Sequence, residues 1–145
     1  MSMALFLRAV TPAEAEVMLK DASMVDEIVE REGDDVLATD LQDAWDILMK
    51  LLRGAGFKGA RNLGECLSNG GELLTAEQVK IHAQLLAAYT PEYVGRLFDE
   101  LDNPELYHIE AWKDDPEGLV GEFVKLKDFY RQAASRGLAI VFYAA

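Results

Sequence analysis

The sequence predicts a single α/β domain, mostly helical, with helices packed around a small sheet that contains the N- and C-terminal strands. Two observations carry this. Apolar, strand-like segments open and close the chain ("ALFLRAV" and "LAIVFYA"), and the stretch between them is punctuated by helix-start signals. A third observation sets the size: 145 residues, half of them hydrophobic, suffice for one real core, with no Gly-, Pro- or Ser-rich linker to divide residues 1–145.

Taken in order, residues 3–10 read as a strand that ends at "TPAE". There Thr11 can cap a helix, Pro12 suits its first position and Glu14 closes a capping box, so a helix is expected to about Lys20. Met24, Ile28 and Val29 recur at helical spacing, with Gly33 as the stop. The strongest helical pattern is "DLQDAWDILMKLLRG", from Asp40 to Gly54. Leu41, Ala44, Trp45, Leu48, Leu51 and Leu52 draw one broad apolar stripe, and Asp43, Asp46 and Lys50 are expected on the opposite, solvated side. "GAGFKGARNLG" reads as a glycine-rich loop. Thr75 and Gln78 form a second capping box before a helix through Val79, Ala83, Leu86 and Ala87. Thr90 and Pro91 start the next helix, to about Leu101. After a turn at Pro104 and the short segment "LYHIEAW", Asp115 and Pro116 open the last long helix. Its apolar face is Leu119, Phe123, Leu126, Tyr130 and Ala134, and Gly137 stops it before the final buried strand.

The segments "MSMALFLRAV", "DLQDAWDILMKLLRG", "LLTAEQVKIHAQLL" and "KLKDFYRQAASRGLAIVFY", in this order, resemble the YfbM-like family, small bacterial proteins that form a domain of unknown function. The most specific matches are Asp40, Ala44, Trp45, Leu51 and Gly54, together with Phe129 and Tyr130 before the final strand. Where the family has an Asp-Pro after an aromatic this chain has "FDEL", and where it has Tyr-Pro this chain has Tyr107 followed by His108. The resemblance implies a compact α/β domain and carries over no catalytic residue.

The formal net charge is -12, with 26 acidic residues against 14 Lys and Arg. Such a field repels phosphates, so nucleic acid and anionic membrane are poor direct partners, and basic proteins are favoured. No segment approaches the roughly 18 consecutive apolar residues of a membrane span. Cys66 is the single cysteine, so no intramolecular disulfide forms, and the cytoplasm is the default compartment.

Chemistry-bearing motifs are weak. Gly54, Gly56 and Gly59 spell G-x-G-x-x-G, but the motif follows a helix instead of a strand and reads as a helix C-cap with a flexible loop. Cys66 lacks a histidine at local spacing, and His82 falls between Val79 and Leu86 at a helix border. No second histidine follows His108 at metal-ligand spacing and no calcium loop is present, so neither metal nor cofactor is expected.

The acidic runs remain. From Asp99 to Glu122 nine acids stand against Lys113, and from Asp21 to Asp40 eight stand against Arg31. A solvated face explains many such runs. In "ELDNPELYHIEAWKDDPEG", however, aromatic residues alternate with carboxylates, as in interfaces with basic partners. The expected partner-binding residues are Asp99, Asp102, Glu105, Tyr107, Glu110, Trp112, Asp114, Asp115 and Glu117, with Trp112 as the anchor. The expected function is a non-enzymatic, immunity-type inhibitor of a basic, nuclease-like toxin. The alternative is a small enzyme or ligand binder with a site near His108, Glu110 and Cys66.

Overall fold

A computed structural model describes residues 3–145; Met1 and Ser2 lie outside the described residues. The opening segment forms β1 (Leu5–Val10), and the closing segment forms β5 (Ala139–Ala144). The two pair antiparallel along their whole length, from Leu5 opposite Ala144 to Val10 opposite Ala139. Three short strands complete the sheet: β2 (Ala38–Asp40), β3 (Arg61–Asn62) and β4 (Gly71–Leu74). The order is β2-β1-β5-β4-β3, with every neighbouring pair antiparallel.

Alternation of side chains across the sheet separates two hydrophobic clusters. Leu5, Leu7, Ala9, Leu74, Ile140 and Phe142 belong to the larger one, whereas Val10, Leu73, Ala139 and Val141 belong to the other. Helices cover both faces, which is why β5, at the centre, is an almost unbroken apolar run. On the smaller side lie α1 (Pro12–Lys20), a 3-10 turn (Ala22–Met24) and α2 (Val25–Glu30), which bury Ala15, Met18, Val25 and Val29. On the larger side lie α3 (Trp45–Leu51), α4 (Ala76–Ala87), α5 (Pro91–Glu100), α6 (Ile109–Lys113) and α7 (Pro116–Ser135). α7 packs against α4, α5 and α6 and buries Leu119, Phe123, Leu126 and Tyr130.

The helix starts are where local chemistry puts them. Thr11 and Glu14 close a capping box with bonds of 2.9 and 3.1 Å, and Thr75 and Gln78 do the same at 2.9 and 3.3 Å. Thr90 accepts from the Tyr93 amide and Asp115 from the Gly118 amide, each followed by proline in the first turn.

The third helix differs from expectation. The edge of β1 captures residues 38–42 instead: the Leu41 amide donates to the Leu5 carbonyl at 2.9 Å, and the Leu5 amide donates to the Gln42 carbonyl at 3.0 Å. Asp40 therefore caps a turn, accepting from the Gln42 amide, and the helix begins only at Trp45 with no side-chain cap. Trp45 is half-buried against the core, its indole N–H donating to the Met3 carbonyl at 2.9 Å.

Candidate functional site

The acidic stretch occupies the end of α5, the loop 101–108, α6 and the start of α7. Asp99, Asp102, Glu105, Glu110, Asp114, Asp115 and Glu117 are all exposed, and among the described residues none of them makes an ion pair. Asp115 alone has a structural task, as the cap of α7. Between α5 and α6 lies a dent of about 350 Å³ with Leu101, Pro104 and Ile109 as its apolar wall; Asp102, Asn103, Glu110 and Lys113 also line it.

Lys113 makes no ion pair with these carboxylates. Its ammonium turns inward, donating to the Phe98 carbonyl in the last turn of α5 and standing 4.4 Å from the centre of the Phe98 ring. A cation at a helix C-terminus meets the carbonyl end of the dipole, and the ring face adds to the attraction.

The aromatic residues also turn inward, and this revises the reading of the third helix. Asp43 and Asp46 do not meet Lys50 on a solvated side. Asp43 accepts the Trp112 indole N–H at 2.9 Å and lies 3.0 Å from the His108 Nδ1, and Asp46 accepts the Tyr107 amide at 2.9 Å. Tyr107 in turn receives the Met3 amide on its hydroxyl and packs 5.4 Å from Trp45. Tyr107 and Trp112 are thus half-buried pins that hold the acidic segment onto α3. His108 adopts φ 55°, a left-handed conformation closed to proline, so the turn after Tyr107 has a geometry that a Tyr-Pro pair could not share.

Asp43→Ala removes the acceptor of two side chains at once. The expected loss is about 1–3 kcal/mol, with Asp43→Asn, which keeps an acceptor for the indole, losing less. Chemical denaturation followed by tryptophan fluorescence checks this; equal midpoints for all three proteins would show that residues 107–112 are held by other contacts.

The alternative site is not assembled. Cys66 packs with Leu63, Leu67 and Leu73 in the smaller cluster, whereas Ile109 and Trp112, which flank Glu110, belong to the larger one on the other face of the sheet. Burial also pushes the Cys66 thiol up, away from thiolate chemistry. Among the described residues, no group of three His, Cys, Asp or Glu is arranged to hold a metal ion, and no helix is long and apolar enough to cross a membrane.

The glycine-rich loop is a C-cap, but it is not loose. Arg53, Gly54, Gly56 and Gly59 all have positive φ, and the amides of residues 54–58 are all bonded internally. Amides so committed cannot cradle a pyrophosphate. His82 is the clamp: its Nδ1 accepts the Gly56 amide at 2.8 Å, so Nε2 carries the proton and donates to the Lys58 carbonyl at 2.8 Å. Both ring nitrogens are occupied.

A three-layer domain, a five-stranded antiparallel sheet between helices, is the class that these features define. The chain belongs to a family described as a domain of unknown function, DUF1877, whose model matches residues 1–143. It is similar in fold to YfbM, a protein of unknown function from Escherichia coli, with 14% identity over 98% of this chain and 99% of that one and a TM-score of 0.63. No curated protein matches it.

Proposed function

We propose that this chain is a non-enzymatic binding protein for a basic protein partner, in its most concrete form an immunity-type inhibitor that occludes the substrate site of a nuclease-like toxin. One observation carries the reading: two exposed carboxylates, Asp102 and Glu110, border a dent with an apolar wall, and Lys113, which also lines it, pairs with neither and is bonded to the Phe98 carbonyl. A partner's Arg or Lys could lay its aliphatic stem on Leu101, Pro104 and Ile109 and place its charge between Asp102 and Glu110. The surrounding field would steer the encounter, since a nuclease needs a positive cleft for its own substrate.

The roles within the segment are redistributed. Trp112, with its indole N–H committed to Asp43, supports the surface from behind, and the dent takes the place of the anchor. Replacing Asp102, Asp114 and Glu117 together by lysine is expected to slow association roughly tenfold or more at low salt and to flatten its salt dependence. The measurement is binding kinetics at two salt concentrations against the basic partner recovered from native lysate. An unchanged association rate and salt dependence would reduce the acidic face to a solvated surface.

A further inference from the structure

Most basic side chains are engaged. Lys20, Arg31, Lys125 and Arg131 pair with acids, and Arg8, Lys113, Lys127 and Arg136 donate to backbone carbonyls. Among the described residues, Lys50, Arg53, Lys58, Arg61, Lys80 and Arg96 make neither kind of bond.

Arg53 and Lys58 meet at a cavity of about 410 Å³ between the glycine-rich loop, α4 and the start of α5. Arg96 stands 5.7 Å from the ring of Tyr93, which lines the same cavity. No Asp or Glu lines it, in a chain of net charge -12.

The walls suit a flat apolar body. Leu52 and Leu85 flank Tyr89 and Tyr93, whose rings stack at 5.8 Å with an interplanar angle of 25°. Leu85 and Tyr93 are 48% and 42% exposed, so apolar surface waits at the mouth. The floor is preformed: His82 and the internal bonds of residues 54–58 hold the loop, and the Tyr89 hydroxyl donates to the Leu52 carbonyl at 3.3 Å. The volume falls within the range of about 300–1,000 Å³ usual for small-molecule sites.

We propose that this cavity binds a small organic anion with an aromatic body, its ring against Tyr89, Tyr93 and Leu85 and its carboxylate, sulfonate or phosphate between Arg53 and Lys58. The side chains bind the anion, because the loop amides are committed. This site is separate from the acidic face and stands or falls independently of it.

Anilinonaphthalene sulfonate, an aromatic anion whose fluorescence rises in an apolar site, is the probe. Calorimetric and fluorescence titration of the full chain should show saturable one-to-one binding. Replacing Arg53 and Lys58 together by glutamine should weaken it roughly tenfold or more, because charge-assisted hydrogen bonds are lost. Tyr93→Ala should weaken it by several-fold through lost stacking. Lys20→Gln with Arg136→Gln, the same charge change far from the cavity, should leave the affinity near wild type. Thermal melts confirm that each variant is folded. Absence of saturable binding, or an equal loss in the remote double variant, would overturn the proposal.

Discussion

Tyr130→Ala is expected to lower the stability of the fold by about 3–5 kcal/mol, the usual cost of truncating a large buried aromatic. Tyr130 is fully buried on α7 among the residues of the larger cluster, and its hydroxyl donates to the Gly56 carbonyl. Tyr130→Phe separates the two contributions: the ring stays, but a buried carbonyl loses its donor, for about 1–3 kcal/mol. Denaturant unfolding of the three proteins should rank them wild type, Phe, Ala. A titration adds an independent check. Burial pushes the Tyr130 phenol well above its ordinary value, so the folded state holds a proton that the unfolded chain releases near pH 10 or so. Its stabilisation is therefore complete below about pH 10 and is lost as pH rises beyond it, and Tyr130→Phe should lessen the alkaline fall in stability by about one proton. A Tyr130 that ionises near pH 10 or so while the protein is still folded would contradict its placement.

His82→Ala is expected to cost about 2–4 kcal/mol, because the Gly56 amide is left buried without an acceptor and the loop loses its clamp. His82→Leu fills the space but still orphans the amide, so it should recover only part of the loss. Hydrogen exchange at Gly56 should accelerate in both. His82 and Tyr130 hold the two backbone polar groups of one residue, so the double variant His82→Ala with Tyr130→Phe should depart from additivity by about 0.5–3 kcal/mol. Strict additivity, or a His82→Ala loss within experimental error, would mean that the loop is held by its own turns. The expected effect is on stability and on the floor of the cavity that His82 lines, since both ring nitrogens are committed to the loop.

Much of the fold was legible because its signals are local. The capping boxes at Thr11 and Thr75 span three residues, and the apolar face of α7 repeats within each turn. The terminal strands are long enough for their apolar runs to be read, and the family resemblance rests on these same segments. β2, β3 and β4 are two to four residues long and show no periodicity. β2 and β4 exist because β1 and β5 offer unpaired edges to whatever chain passes, and β3 pairs in turn with the outer edge of β4. The candidate surface was legible in its charge, since Asp99, Asp102, Glu105, Glu110, Asp114, Asp115 and Glu117 do face solvent.

By itself, then, the sequence determined the boundaries of the capped helices, the two principal strands, the family and the sign of the charge. Only the tertiary structure decided what Asp43, Trp112, Lys113 and His82 do. Asp43 and Trp112 are 69 positions apart, and His82 and Gly56 are 26. No periodicity or cap connects residues at such separations. An acid on the far side of an amphipathic helix looks solvated until another segment brings a half-buried indole N–H to it, and a partly desolvated donor must then find its acceptor wherever the fold supplies one.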